Sequence, residues 1–563
     1  MGINSEKFDE LKKEIERIRR RRISDFSSSE DFEYIDPYDN IEKIESYNNH
    51  LIIGRRGSGK TTLLLTTIKK NNNNIIFPID SQIYRNWEIE KIIINIFERL
   101  CEELLNNLYT DSNYLKIKSN YEYHFRGFLK RIKNIFTKPD MSVKNDYKKY
   151  IQLIVGLKAS KELLNKLDKL PNEILFKKTE KIKKEEISEL ISQEEAKIIS
   201  ELKAKGDLSG YNISISSSLN LLSTFTLSKI NKSTQSNEIL EESEQLQTIT
   251  RIGELENLKL HIAGIFSDLT KITEKHIILY LDDFYFIPTL IQPVIIQYLH
   301  DIYKNSKYSS FCFKVCSLPN RIKINNDGQV DFSFKDDFSP IKLDKELYDL
   351  NNLKDFLLRI TAFLKPSIGL HVSDISNLFN NDEVLNYTIV ATGGVPRDFL
   401  ITIADLIALA KSESSDTIKK EHLYSIISNL KEDKEQNIEV DIDINPDLLR
   451  KAKSIIEKEV IEELNTNVIL YPANLAKEHE LLLRNLINLR YIHIINENTT
   501  SEKIKKENFI SYLIDMTFYA TGKRLKYGFE FRPFWEKDIE SRHIHLRSAP
   551  IWSFEKSFIE DDK

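Results

Sequence analysis

The octet Gly54-Arg55-Arg56-Gly57-Ser58-Gly59-Lys60-Thr61 has the residue types and spacing of a phosphate-binding loop. In the pattern G-x-x-x-x-G-K-[ST], glycines let backbone N–H groups close around phosphate oxygens. Lys60 then reaches the β/γ oxygens, and the Thr61 hydroxyl ligates Mg²⁺. Gly54, Gly57, Ser58, Gly59, Lys60, Thr61 and Thr62 are therefore the expected nucleotide cradle. A chance glycine turn is the alternative, but three of the chain's sixteen glycines fall in this one octet. A second pattern comes much later: the apolar run Ile277-Ile278-Leu279-Tyr280-Leu281 ends in Asp282-Asp283. A buried strand of this kind delivers one carboxylate to Mg²⁺ and the next toward an attacking water, so Asp282 is assigned to the metal and Asp283 to water activation. Alone, an apolar run ending in acids is weak, since strands often end that way. Downstream of a phosphate loop it becomes strong.

Elements must position these groups. Leu51-Ile52-Ile53 before the octet and Thr62-Leu63-Leu64-Leu65 after it read as a strand and a helix start, and the helix N-terminus adds partial positive charge behind the loop. Ile75–Asp80 reads as a second strand and Trp87 to about Leu108 as a helix, the opening of a parallel α/β sheet. Helix 291–304 precedes the strand Phe311–Ser317, and Pro340–Leu343 closes the sheet. Open α/β sheets bind ligands at strand carboxyl ends, which makes Ser317 and Asn320 candidates for sensing a γ-phosphate. Arg321 follows as a candidate phosphate-sensing or trans-acting arginine, or as a solvated loop charge. Residues 351–430 read as a helical bundle. Within it, Gly393-Gly394 ends one helix and Pro396 begins the next, placing Arg397 on a first turn.

Far more chain separates Lys60 from Asp282 than a compact core needs, so about 110–255 reads as an insertion. From Lys116 to Lys149 it carries ten Lys/Arg against three Asp/Glu, among Tyr121, Tyr123, Phe125, Phe128, Phe136 and Tyr147. Basic residues among aromatics suit phosphate contact and base stacking, while helical spacing of the aromatics fits a packed core equally well. Residues 211–227 alternate apolar and polar types as a β-ribbon does. The N-terminal helix 6–23 ends in a basic cluster from Arg17 to Arg22, for phosphate or an acidic partner, or for solvent.

The composition is that of an ordinary folded chain: 563 residues, 41% hydrophobic, 30% charged, net charge −5. That charge gives no global pull on nucleic acid, so any such binding must be local. Cys101, Cys312 and Cys316 make no disulfide framework and lack zinc-type spacing. No stretch has the length to span a bilayer and no signal-peptide pattern opens the chain, so a cytoplasmic location without membrane contact is expected.

The order of phosphate loop, Asp282-Asp283 strand, strand ending near Arg321, and helical lid with Gly394-Val395-Pro396-Arg397 resembles the AAA+ and STAND branch of P-loop ATPases, most closely those related to origin-recognition-complex initiators. The resemblance covers about 45–110 and 260–430. It implies ATP and Mg²⁺ as cofactors, Arg397 as a second γ-phosphate sensor, and Gly394 with Pro396 against the base. Asp283 stands where glutamate is frequent, and no obvious arginine-finger helix lies between the last core strands. Residues 448–516 resemble an appended winged helix whose wing tip carries Lys503, Lys505 and Lys506. The expected architecture is thus an α/β P-loop core (45–110 and 259–345) after a basic helix and linker (1–44). A large helical and β-ribbon insertion occupies 111–258. An α-helical lid (346–430), a linker (431–446) and a C-terminal winged-helix-like α+β domain with a tail (447–563) follow. The expected activity is ATP hydrolysis to ADP and phosphate, slow if Asp283 limits it, in a switch that controls double-stranded DNA engagement or assembly, with a homo-oligomer or an effector protein as partner. Replication initiation, mobile-element maintenance and antiviral defence all suit it. Two other readings are a nucleotide-binding scaffold with little hydrolysis that recruits a separate effector, and a GTPase, which the absence of an Asn-Lys-x-Asp motif disfavours.

Overall fold

The computed structural model describes residues 3–18, 34–36, 38–71, 73–125, 141–169, 173–177, 246–319, 321–325, 332–333, 336–436, 444–537, 540 and 542–555. Arg19 to Arg22, residues 126–140 of the basic insertion, the 211–227 ribbon and Asn320 lie outside them.

Five parallel strands form the core sheet: β1 (His50–Ile53), β2 (Ile75–Asp80), β3 (Ile277–Asp282), β4 (Phe311–Ser317) and β5 (Ser339–Lys342). Their spatial order is β2-β3-β4-β1-β5. β3 and β4 are buried at every position, as strands covered by helices on both faces must be, which explains the apolar run Ile277–Leu281 and the apolar residues on either side of the buried Lys314 in β4. On one side α2 (Lys60–Lys70) packs Leu63, Leu64 and Leu65 against Ile52, Ile278, Tyr280 and Cys316. On the other, the helices Ile89–Thr110, Arg251–Thr273 and Gln292–Asn305 cover Leu51, Leu279 and Phe313. The fold is an α/β P-loop core in which the phosphate loop leaves an inner strand.

Helix Met141–Asp168 of the inserted segment joins that second face. Tyr121 and Tyr147 are buried there and stack on one another with ring centroids 4.3 Å apart. These two rings are packing residues, so the core alternative holds for them and base stacking does not. A two-stranded antiparallel pair, Glu173–Lys177 with Leu246–Thr250, brackets the segment between them.

The lid comprises α3 (Leu350–Ala362), α4 (Asp382–Ala391), α5 (Pro396–Ser412) and α6 (Lys420–Gln436). The N-terminal helix α1 (Glu6–Ile18) belongs to it physically. Phe8, Leu11 and Ile15 are buried in the lid core, Lys411 pairs with Asp9 at 2.8 Å, and Lys7 Nζ donates to the Gly369 carbonyl at 2.7 Å. Helix α6 runs to Gln436, into the stretch expected to be a linker.

The C-terminal unit is α+β. Helices from Pro446 to Glu463 and α7 (Glu480–Asn488) pack on a three-stranded antiparallel sheet of β6 (Val468–Pro472), β7 (Ile492–Thr499) and β8 (Phe509–Ile514), with β8 central. The tail is part of this unit: Ile551 bridges Leu470, and Trp552 Nε1 donates to Glu459 at 2.8 Å. Among the described residues no helix is long and apolar enough to cross a membrane.

Candidate nucleotide site

The phosphate loop begins where β1 ends and closes into α2. Gly57 and Gly59 have φ of +84° and +96°, a region that L side chains rarely adopt, which is why the loop needs glycine there. A Cβ at Gly57 would also stand 2.7 Å from the Arg397 Cβ. Asp344, just past β5, accepts the Arg55 backbone N–H with both carboxylate oxygens at 2.9 and 3.0 Å and so anchors the start of the loop. Ser58 Oγ is buried without a hydrogen-bond partner inside the loop.

Lys60 is 6% exposed, and its ammonium donates to the Gly54 carbonyl at 2.6 Å and the Arg55 carbonyl at 3.0 Å. Burial pulls its pKa down, while nearby Cys316, Asp283, Asp282 and Asp344 oppose that shift. A buried cation held only by neutral carbonyls is primed for a stronger, anionic acceptor. The Thr61 hydroxyl donates to Asp282 Oδ2 at 2.7 Å, so the two expected metal-binding oxygens already converge. Burial, with the charge of Asp283 next to it, pushes the Asp282 carboxyl up to about 7. The Thr61 hydrogen bond and the Lys60 charge oppose that shift without cancelling it. Among the described residues no cluster of three or more His, Cys, Asp or Glu side chains could hold a metal alone. Thr61 and Asp282 nevertheless fit Mg²⁺, which is bound through one or two protein oxygens plus waters and substrate phosphates.

Asp283 has a left-handed backbone, φ +50°. Burial raises its pKa, Lys60, Arg56 and Arg397 lower it, and Asp80 raises it. Asp80 lies opposite Asp282 in the β2–β3 register, a member of the acidic group that the sequence reading missed. Its signal was present, because β2, like β3, ends in an acid. Asp344 was missed in the same way at the end of β5.

Arg397 is brought to the loop directly: its backbone N–H donates to the Gly57 carbonyl at 3.2 Å. Val395 caps α5 and Pro396 is its first residue, so the glycine-proline turn aims this first helical turn at the phosphate loop. Gly394 has φ +68° and leaves a space that a Cβ could not enter, 2.6 Å from Leu353 Cδ2. Gly393 faces the C-terminal unit, where a Cβ would lie 2.2 Å from His493 Nδ1. Ser317 is buried at the end of β4 beside Ile53, and its backbone carbonyl accepts the Gly54 N–H at 3.2 Å. Its hydroxyl contacts the Arg321 carbonyl at 3.5 Å, within the turn that follows β4. Thr62 lies in the first turn of α2. Tyr34, expected in a linker, approaches the site: a Cβ on Gly59 would be 3.7 Å from its ring.

No family model matches the chain, and no curated protein matches it. Among solved structures it is similar to Cdc6p from Pyrobaculum aerophilum, at 12% identity over 88% of this chain and 94% of that one, with a TM-score of 0.31. It is also similar to the RuvB Holliday junction branch migration motor of Thermotoga maritima, at 11% identity over 46% of this chain and 80% of that one, with a TM-score of 0.20. At those scores the fold rests on the chain's own strand order and loop geometry.

Proposed function

We propose that this chain binds and hydrolyses ATP as a switch of the AAA+ and STAND kind, its nucleotide state setting the angle between core and lid. The observation that carries the reading is the convergence of Thr61 on Asp282 at 2.7 Å on one side of the loop, with Arg397 seated on Gly57 on the other. Lys60 moves from the Gly54 and Arg55 carbonyls onto the β/γ oxygens, and the Gly57 to Thr61 backbone cradles the phosphates. Thr61 and Asp282 would hold Mg²⁺, and the ion would supply positive charge against the phosphates. Asp283, its pKa raised by burial yet surrounded by Lys60, Arg56 and Arg397, takes a proton from the attacking water. Arg397 stabilises charge on the γ-phosphoryl group. Ser317, at the end of β4, and Arg321 in the turn after it would sense that group.

The consequence of switching is control of DNA engagement or assembly in the cytoplasm. The β7–β8 connection of the C-terminal unit exposes Lys503, Lys505 and Lys506, in keeping with a wing that touches a DNA backbone. A homo-oligomer or an effector protein would receive the signal. A second reading, a nucleotide-holding scaffold with little turnover, is favoured by one feature: aspartate at 283 is one methylene shorter than the glutamate frequent in the resembling families.

The deciding experiment is phosphate release from ATP by the full chain, with and without double-stranded DNA at low and high salt, beside Lys60→Ala and Asp283→Ala. Turnover that DNA raises at low salt and both variants abolish supports the switch. Tight ATP binding with no turnover in any condition replaces it by the scaffold, and unchanged ATP affinity in Lys60→Ala overturns both.

A further inference from the structure

Where helix Ile89–Thr110 begins and the inserted helix Met141–Asp168 ends, the surface opens into a groove of about 410 Å³. Lys161 pairs with Glu102 at 3.2 Å to join the two helices, and further along Asp168 meets Asn95 and Glu98 in the groove wall. Trp87, just before the first helix, lines the groove and is 40% exposed. Tryptophan is highly buried on average, so an exposed ring that is also held in place is informative. Its backbone N–H donates to the Tyr84 carbonyl at 3.1 Å, and the Tyr84 ring meets the indole edge-on with centroids 5.4 Å apart. The Tyr84 hydroxyl donates in turn to Asn95 Oδ1 at 2.9 Å, which fixes the aromatic wall to the polar one.

The charge of the groove is one-sided. Glu88, Glu98 and Asp168 face a single cation, Lys91, which lies 3.6 Å from Glu88. Glu98 and Asp168 have no ion-pair partner among the described residues. The nearby arginines are turned elsewhere, Arg85 over the Phe286 ring at 6.0 Å and Arg99 over the Phe77 ring at 5.6 Å. Asp168 is also the last residue of its helix, where the carbonyl dipoles favour a cation and oppose a carboxylate. The ligand that suits this wall is a planar cation, flat enough to lie on an indole face and forked enough to give a carboxylate two N–H bonds. A guanidinium has that chemistry, whereas a lysine ammonium meets the charge and lacks the fork. A groove of this volume, open to solvent, takes such a side chain together with the backbone that carries it.

We propose that this groove docks an arginine side chain of a partner protein, with Trp87 against the guanidinium face and Glu98 and Asp168 accepting its N–H groups. The assignment is independent of the ATPase reading, because no lining residue belongs to the nucleotide cradle. Its position still gives it a line to that site: Trp87 closes the turn that leaves β2 at Asp80, the acid opposite Asp282.

The test is calorimetric titration of the peptide acetyl-Gly-Arg-Gly-amide into the full chain. Two control peptides replace the arginine, one with citrulline, which keeps the shape and loses the charge, and one with lysine, which keeps the charge and loses the fork. The arginine peptide should bind, the lysine peptide roughly tenfold more weakly, and the citrulline peptide not measurably. Glu98→Gln and Asp168→Asn should each weaken the arginine peptide several-fold, and Trp87→Ala roughly tenfold. Lys91→Gln removes the one competing cation and should strengthen binding about twofold, a gain that damage to the fold cannot produce. Circular dichroism verifies that each variant is folded. No binding of the arginine peptide, equal binding of the citrulline peptide, or unchanged affinity in folded Trp87→Ala and Glu98→Gln proteins overturns the proposal. So does sedimentation in which Trp87→Ala dissociates an oligomer of the unsubstituted chain, since the occupant would then be a second copy.

Discussion

Gly393→Ala is the sharpest perturbation the structure offers, because its cost divides into parts that can be measured separately. Gly393 has φ +58°, and an alanine there costs about 1 kcal/mol in backbone strain. Its Cβ would stand 2.2 Å from Nδ1 and 2.4 Å from Cε1 of His493, closer than any real contact. His493 is 2% exposed and its Nε2 meets Asp515 Oδ2 at 2.9 Å, so the ring cannot yield without breaking a buried polar pair, about 1–3 kcal/mol more. The sum is about 2–4 kcal/mol, lost where the lid meets the C-terminal unit. Gly522→Ala is the internal control: its φ is +56° and nothing lies within 4 Å of a Cβ, so only the backbone cost remains. Denaturant unfolding should rank Gly393→Ala well below Gly522→Ala, and His493→Ala should cancel part of the Gly393→Ala loss in a double-mutant cycle. The Gly393 carbonyl also accepts from Arg55 Nη1 at 3.1 Å, so ATP affinity should fall together with stability. Equal stability of the two alanine variants, or strict additivity of Gly393→Ala and His493→Ala, would refute the docking of lid on His493.

Three further outcomes are expected. Asp282 is raised from an unfolded value near 4 to about 7, so the stability it lends the nucleotide-free protein is full below the lower value and lost as pH rises through the upper one. Thermal unfolding between pH 5 and 8 should show that loss, Mg²⁺ should restore stability at the alkaline end, and Asp282→Asn should flatten the profile. Arg397→Ala should cut single-turnover hydrolysis on the order of a hundredfold, the scale of removing one preorganised charge-stabilising group; full turnover in that variant would remove Arg397 from the chemistry. Cys101, Cys312 and Cys316 are all buried, and burial pushes their thiols upward, Cys101 to about 12. A thiol reagent should therefore label the native protein slowly and all three cysteines once it is unfolded; rapid labelling of folded protein would contradict the packing around β4.

The core strands were legible because buried parallel strands leave largely apolar runs, continuous in Ile277–Leu281 and interrupted by Lys314 alone in Phe311–Cys316. Their order was not. That β4 lies between β1 and β3 follows from helix packing across the whole sheet, and no residue in β4 encodes it locally. Strand β6 was hidden because Val468–Pro472 is short and lies between helical stretches that share its apolar character. The N-terminal helix was read for its charge, and the three apolar residues that bury it in the lid, Phe8, Leu11 and Ile15, carry no mark of their partner. At the site, motif residues could be named from spacing. Asp80 and Asp344 could not, since an acid at a strand end is common and only the assembled sheet edge shows which ones meet the loop. His493, more than four hundred residues from Lys60, had no local signal at all.

Those unread contacts bear on mechanism. Lys60 is tied to Gly54 and Arg55, Arg55 to Asp344 and Gly393, Gly57 to Arg397, and Gly393 abuts His493. The phosphate loop therefore shares hydrogen bonds with the lid turn, and that turn is fitted against the C-terminal unit with no room for a methyl group. Packed elements of this kind shift between discrete arrangements rather than deform smoothly. If phosphates draw Lys60 off the Gly54 and Arg55 carbonyls, the Arg55 backbone and its bond to Gly393 must adjust with it. The coupling is reciprocal in free energy: whatever engages the C-terminal unit and moves His493 must change nucleotide affinity by the same factor that nucleotide changes that engagement. A chain in which nucleotide affinity ignored every perturbation at Gly393 and His493 would have the contacts seen here without the switch they imply.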